Sequence, residues 1–377
     1  MHVVVLGGGY AGLTLTRLLE ETLPSAADIT LVNDSPDHLV QHELHRIIRR
    51  PEFASAITVS LPAVLERATV RVARVESIDR DERVVELSDG TLSYDIAAIC
   101  LGARTAYYGL EGVREHALPL KRLSHATRIR SRARELFAVG DPRIVVGGAG
   151  LSGVQVAGEL AALAREYNSD ATVTIVEQFD AVAPQFSESF QRAVATTLES
   201  QGVEIRTDAT VSDADDDRIV LESGAELPAD LFVWTGGIRG AGAVDGERVT
   251  VPADLRLDDR TFVVGDAARV VDADDEPVPA SAQAAVREAR TAAENVAAVV
   301  EADSDDTAEP ALESVSFESP GWVVSVGDDA VAQVGSSVVT GKPAKLLKRT
   351  VGVGYRSSIG SVDGPRELAR VLSSRWR

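Results

Sequence analysis

The chain has 377 residues, with 58 acidic against 38 basic side chains and a formal net charge of −20. That length allows two or three domains, each able to bury its own core. The acidity argues against nucleic acid as a partner, and a single cysteine, Cys100, excludes internal disulfides, a CxxC redox pair and a cysteine-rich metal site. The lysines are Lys121, Lys342, Lys345 and Lys348 alone. A lysine-poor, acid-rich surface suits a cytosol of very high salt, where screening removes self-repulsion, so a halophilic protein is expected. His38, His42 and His45 cluster, but no carboxylate pattern completes a metal site, and no metal is expected.

Residues 3–6 form an apolar, β-branched run suited to a strand buried on both faces. GGGYAG follows at 7–12 and matches G-x-G-x-x-G, and Leu13, Leu15, Leu18 and Leu19 supply a helical apolar stripe. A second strand at 29–32 ends in Asn33-Asp34, which completes a βαβ unit. In such a unit Gly7 permits the tight turn, Gly9 lets a pyrophosphate approach, and Gly12 lets helix and strand touch. The pyrophosphate then meets free N–H groups at the positive end of the helix. An acid usually ends strand two and holds the ribose; here Asn33 stands there, with Asp34 one residue later.

Residues 35–55 read as a polar excursion, irregular or partly helical, and 57–65 include another short helix signal. Strands are expected at 69–73, 77–87 and 91–94, with Ser88-Asp89-Gly90 as a hairpin turn, and a buried strand at 96–101 stopped by Gly102. A helix over 123–137 follows. Then the opening pattern returns: a strand at 144–146, a turn with Gly148, Gly150 and Gly153, a helix over 154–167 and a strand ending in Glu177. Glu177 can accept both ribose hydroxyls and would repel a 2′-phosphate, so NAD is preferred over NADP. Two such turns in one chain imply two dinucleotides and electron transfer between them. A helix over 187–201, an acidic turn at 213–217, strands at 218–221 and 231–234, and a strand running into Gly265-Asp266 come next. The last expected elements are a helix over 282–300, an acidic linker at 301–310, and a few short strands before a basic end.

GGGYAG, YDIAAICLGA, GGAGLSGVQVAGEL, the TGG at 235–237, VVGDAAR and ASAQAAVREA together resemble the two-dinucleotide flavoproteins that include the pyridine nucleotide-disulfide reductases. Within them the chain is most similar to the type II NADH:quinone oxidoreductases, over nearly its whole length. The resemblance implies an α/β fold with two Rossmann-like dinucleotide-binding domains and a small C-terminal α+β region. The FAD domain is expected at 1–112 and 252–305, the NAD domain at 113–251, and a dimerisation or membrane-docking region at 306–377. It implies FAD held by Gly7, Gly9, Gly12, Gly102, Gly265 and Asp266, with Tyr10, Ala11, Asn33, Asp34 and Ala73 beside them. Ala282 and Gln283 open the helix aimed at the flavin. NADH would lie on Gly148, Gly150, Leu151, Ser152 and Gly153, with Glu177 and Gly236. Hydride would pass from nicotinamide to flavin by stacking, with no acid–base pair needed.

The same resemblance places Gln283, Arg287 and Gln155 at the reacting centre, and two of these depart from the family. An A-Q-x-A-x-Q pattern is usual, and Arg287 stands for its second glutamine; a guanidinium can still donate to a quinone oxygen. Gln155 stands where a glutamate is common. From Lys342 to Arg377 the basics are 342, 345, 348, 349, 356, 366, 370, 375 and 377, interspersed with Leu346, Leu347, Leu368, Val371, Leu372 and Trp376. This basic, amphipathic end suits anionic lipid, or a helix packed on the core with its arginines in water. No run of eighteen apolar residues exists and no signal peptide precedes the first strand, so the expected location is cytoplasmic, peripheral on the inner face of the membrane. Three readings stay open: an NADH:quinone oxidoreductase, a soluble NADH-dependent reductase of a carrier such as ferredoxin, and a flavin- and NAD-binding sensor. Sulfide:quinone chemistry on this fold relies on paired redox cysteines that the chain lacks.

Overall fold

The computed structural model describes residues 1–305 and 310–359. Val3, Val4, Val5 and Leu6 are fully buried, at roughly 1.5–3 kcal/mol per side chain relative to exposure. Their strand, His2–Leu6, lies parallel between Asp28–Asn33 and Ile96–Ile99. Thr69–Val72 extends the sheet beyond Asp28–Asn33, and Thr261–Val263 pairs with Ile96–Ile99 on the other side. Arg256–Asp258 closes that edge antiparallel. A second, all-parallel sheet runs in the order Leu118–Pro119, Leu231–Trp234, Arg143–Gly147, Thr172–Val176, Val203–Arg206. Between the two, the chain leaves the first sheet after Ile99 and returns to it only at Arg256. Both are α/β sheets whose central strands are buried on both faces.

Most expected elements stand where the pattern put them, and the exceptions have local causes. The strand expected at 77–87 is two strands, Val75–Asp79 and Val84–Leu87, because the chain reverses through Arg83 in a left-handed conformation (φ 54°). The polar excursion holds a short strand, Asp37–Leu39, and two 3-10 helices, Gln41–Ile48 and Pro51–Ala56. The short helix expected within 57–65 is Leu61–Val64. Asp213, placed in an acidic turn, lies in the strand Val211–Ala214. The last long helix runs Ala282–Asp305, through the first half of the expected linker. Residues 306–309 of that linker lie outside the described residues.

After the long helix, Trp322–Val326, Asp329–Val334 and Ser337–Thr340 form an antiparallel sheet, followed by the helix Lys342–Ser358. This hairpin sheet seats on the second domain's helix Leu151–Glu166 at a glycine pair. A Cβ on Gly158 would lie 2.3 Å from the Gly327 nitrogen. Gly158→Ala is therefore expected to cost about 1–3 kcal/mol by prising the hairpin off the helix. Differential scanning calorimetry against the unaltered protein checks it. A salt-bridge group pins the same junction: Arg49 reaches Glu166 at 2.7 Å and Asp328 at 2.6 Å, and Arg50 pairs with Glu166.

Candidate functional site

The first glycine turn is built by exclusion. Gly7 has φ 107°, and a Cβ there would sit 2.3 Å from the Cys100 carbonyl oxygen; one on Gly12 would sit 1.7 Å from the Gly7 carbonyl oxygen. A Cβ on Gly9, in contrast, meets nothing within 4 Å, so the turn is open on one side only. Gly9 caps the helix Tyr10–Thr22 with no side chain, so the first-turn N–H groups have no side-chain acceptor at the cap. That combination, open space in front of free N–H groups, can accept a pyrophosphate. Asn33 holds the turn: its Oδ1 accepts from the Gly8 N–H at 2.9 Å, and its Nδ2 donates to the Ser35 carbonyl at 2.9 Å. Asp34 pairs with Arg122 at 2.8 Å.

The second turn repeats the plan. Gly148 (φ 92°) and Gly153 are closed by backbone, and Gly150 is open and caps Leu151–Glu166 without a side chain. Glu177 takes the place of Asn33. It is buried, and its two oxygens accept from the Ala149 N–H at 2.6 Å and the Phe179 N–H at 3.2 Å. Gly236 abuts Gly148, where a Cβ on Gly148 would meet the Gly236 Cα at 2.7 Å. The helix after Glu177 shows the contrast: Ser187 caps Glu188–Ser200 by accepting from the Phe190 N–H.

One cleft of about 1700 Å³ gathers most of the expected residues. Gly7, Gly9, Tyr10, Ala11, Asn33, Asp34, Ala73, Gly102, Asp266, Ala282, Gln283 and Arg287 line it, and Leu151, Ser152 and Gln155 join from the second domain. Gly12 and Gly265 lie behind its wall, and Gly148, Gly150, Gly153, Glu177 and Gly236 lie outside its lining. The helix Ala282–Asp305 begins at the cleft; Ser281 takes the Ala284 N–H at 3.1 Å, and the N–H groups of Ala282 and Gln283 precede the first intrahelical bond. Gln283 is tied to the neighbouring loop, donating to the Gly321 carbonyl at 3.0 Å. Arg287 has its guanidinium 5.3 Å from the Phe317 ring centroid and no carboxylate partner among the described residues.

Sequence reasoning missed the charges around this cleft. Lys121 lines it, and burial pushes its ammonium below the ordinary value against the pull of Asp266. Arg248 donates to the Asp266 carbonyl at 2.9 Å and so fixes that loop. Glu288 is buried behind it and accepts from the Gly265 N–H at 2.6 Å. Lys121 carried a signal, being the one lysine far from the C-terminal end. Glu288 carried another: it interrupts the apolar stripe of Ala284, Ala285, Ala289 and Ala292.

Burial pushes Glu288 up from 4.5 to about 7, with the Gly265 N–H opposing. The folded protein prefers the protonated carboxyl, so this group supports folding fully below 4.5 and loses that support as pH rises through about 7. The melting temperature is expected to fall across that window, and Glu288→Gln, which keeps the acceptor and removes the charge, to flatten the fall by about 2–4 °C. Thermal melts of both proteins between those pH values check it.

The three clustered histidines meet the C-terminal helix. Tyr10 and Tyr355 pack with ring centroids 4.7 Å apart and planes tilted by 57°, and Lys348 is buried on Glu43 at 3.1 Å, where Arg46 also pairs at 3.0 Å. Burial pushes the Glu43 carboxyl up, but Lys348, His42 and Arg46 outweigh it and hold it well below the usual range. One of the basics weighed for a lipid-facing role, Lys348, is thus turned inward to Glu43, and Lys345 pairs at the surface with Asp329 at 3.1 Å. Residues 360–377, including the expected basics 366, 370, 375 and 377, lie outside the described residues. Among the described residues no group of three or more His, Cys, Asp or Glu could hold a metal ion, and no helix is long and apolar enough to cross a membrane.

The family described as pyridine nucleotide-disulphide oxidoreductase matches residues 1–289. The chain belongs to that family. Type II NADH:quinone oxidoreductase of Staphylococcus aureus is 29% identical over 393 residues, covering 96% of each chain. Among solved structures, NDH2 from Plasmodium falciparum in complex with NADH superposes with TM-score 0.84 at 13% identity, over 100% of this chain and 99% of that one. The sulfide:quinone oxidoreductase of Aquifex aeolicus gives 0.79 at 18% identity, over 100% and 96%. These likenesses give the fold: two Rossmann-type sheets and a small C-terminal region, as the sequence implied. FAD and NADH are the family's cofactors, and both turns fit a pyrophosphate. The family's name refers to a disulfide, whereas the single cysteine here, Cys100, is buried.

Proposed function

We propose that this protein is an FAD-dependent NADH dehydrogenase that passes electrons to a quinone without pumping protons. One observation carries the reading: of two open helix starts capped without a side chain, one puts Gly9 and the other Leu151 and Ser152 on a single cleft that the Ala282–Asp305 helix also enters. Name and length of the Staphylococcus aureus relative support it over the carrier-reductase alternative. Flavin, when bound, would supply the two-electron hydride chemistry. The residues of this chain orient and balance charge. Gly7, Gly9, Gly12 and Gly265 with Asp266 hold FAD, and Lys121 offsets its phosphates. Gly148, Gly150 and Gly153 with Glu177 and Gly236 hold NADH. Gln155 borders the nicotinamide, and Gln283 and Arg287 donate to the acceptor's oxygens.

We assign FAD binding to 1–112 and 252–305, NAD binding to 113–251, and membrane docking or self-association to 306–377. Leu346, 60% exposed on the C-terminal helix, supports insertion at a lipid interface. The acidic body supports a working milieu of molar salt. Purified protein in molar salt is expected to be yellow, to oxidise NADH with a short-chain quinone, and to pellet with anionic liposomes. Rapid transfer to ferredoxin with no quinone reduction would overturn the reading.

A further inference from the structure

Residues 313–321 run back along the helix Ala282–Asp305 as a strap, meeting it in reverse order. Glu313 is held at the fully buried Asn295, whose Oδ1 accepts from the Glu313 N–H at 2.7 Å and whose Nδ2 donates to the Glu313 carbonyl at 2.9 Å. Nearer the helix start, the Phe317 ring lies beside the Arg287 guanidinium. At the start itself, Gln283 Nε2 donates to the Gly321 carbonyl at 3.0 Å and its Oε1 accepts from the Ser319 hydroxyl at 3.3 Å. The Gly321 carbonyl can only accept, so the amide nitrogen faces it, and the second N–H of Gln283 is left for a ligand. Pro320 of the strap lines the cleft with Gln283, Val286 and Arg287 of the helix.

The strap is anchored away from the helix at both ends. At one end Gly321 presses on the strand Asp329–Val334, where a Cβ would lie 2.3 Å from the Gln333 carbonyl oxygen. At the other, Val315 donates to the Ala253 carbonyl and accepts from the Ala273 N–H, each at 2.8 Å. The Ser316 hydroxyl donates to Asp274 Oδ2 at 3.1 Å. Asp272 completes this grip. Its Oδ2 accepts from the Phe317 N–H at 3.1 Å, and its Oδ1 accepts from the Asp274 and Glu276 N–H groups at 2.9 and 3.1 Å. Asp272 is buried and does not line the cleft, so its carboxylate serves backbone alone.

We propose that the strap is a jig for the electron acceptor, and that Asp272 is a positioning residue that sets Arg287 through Phe317. The proposal deepens the quinone reading above and rests on it. Arg287 is long and has no carboxylate among the described residues to fix it, so its many rotamers dilute the one that reaches a quinone oxygen. The Phe317 ring centroid, 5.3 Å from the guanidinium, attracts it through the π-face and narrows that choice. The ring stays where Asp272 holds its backbone. Gln283 is set separately, through Gly321 and the hairpin sheet.

Asp272→Asn separates the grip from the turn. Two N–H groups, at 274 and 276, keep the amide oxygen, and the amide nitrogen then meets the Phe317 N–H donor against donor. Protein loaded with FAD and reduced anaerobically by NADH is mixed with a short-chain quinone in stopped flow. The quinone concentration for half-maximal reoxidation is expected to rise about tenfold in Asp272→Asn and in Phe317→Leu, while flavin reduction by NADH stays within about twofold of the unaltered rate. Added to Arg287→Ala, Asp272→Asn is expected to change that concentration by less than about twofold, because no guanidinium is left to place. A purely structural brace would instead slow both half-reactions, or add its full effect to that of Arg287→Ala. Either result, or unchanged quinone kinetics in either folded variant, overturns the proposal. Phe317→Leu leaves the 272–276 turn intact and decides the matter where Asp272→Asn is unstable. Unaltered, reduced protein that quinone does not reoxidise overturns the functional reading itself.

Discussion

Gly12→Ala purifies colourless. The added Cβ would stand 1.7 Å from the Gly7 carbonyl oxygen, and next at 2.9 Å is the Gly7 carbonyl carbon. Neither is the movable end of a side chain. Relief requires the helix Tyr10–Thr22 to back away from the strand that feeds it, or the turn to unwind. Either lifts the first-turn N–H groups away from the pyrophosphate they face. The steric cost sits at the upper end of the ~1–3 kcal/mol of overpacking, and the lost ligand adds to it by mass action. Absorbance of the purified protein in the visible range, with and without added FAD, is the measurement. A yellow protein with unchanged flavin content would show that the turn does not hold FAD. Gly9→Ala is the control, because a Cβ there meets no protein atom and harms only a bound ligand.

Glu177→Ala is expected to raise the KM for NADH about 10–100-fold while flavin content stays near that of the unaltered protein. The reason lies in the turn as much as in the ribose. Removing the carboxylate leaves the Ala149 and Phe179 N–H groups without their acceptor in a buried setting. Each such loss costs about 1–3 kcal/mol, and the turn that carries Gly150 loosens. Steady-state kinetics with NADH, beside a flavin count, separates the two sites. Equal loss of both would mean that the two turns are assigned the wrong way round.

Both glycine turns were legible because Gly12 and Gly153 are enforced by backbone five residues away, while Gly7 and Gly148 answer to the neighbouring strand ends at Cys100 and Gly236. Gly7, Gly12, Gly148 and Gly153 each answer to backbone within or beside the same βαβ unit. What Asn33 and Glu177 do was half legible. The sequence shows a polar residue at the end of strand two, but not that it accepts from the N–H of Gly8 or Ala149. The histidine cluster was visible as a cluster, and its partners were not. His38, His42 and Glu43 acquire meaning from Tyr10, from Lys348 and from Tyr355, the last more than 300 residues along the chain. No local period encodes such a meeting. The acidic run after residue 300 misled for the opposite reason. Glu301, Asp303 and their neighbours are solvated on a helix already under way, and Arg260 pairs with Asp303 across to the first sheet.

The detour between Ile99 and Arg256 sets an order of assembly on the ribosome. The segment from Leu118 to Trp234 holds every strand of its own sheet, so it can close as soon as it emerges. The amino-terminal strands must wait. Their sheet lacks Thr261–Val263, and the helix Tyr10–Thr22 lacks its cover, Ala282–Asp305, until most of the polypeptide has been made. Contacts so distant in sequence are slow to form. The nascent chain thus carries an unfinished, apolar first half behind a finished middle, and its demand for chaperones should peak just before the long helix is translated.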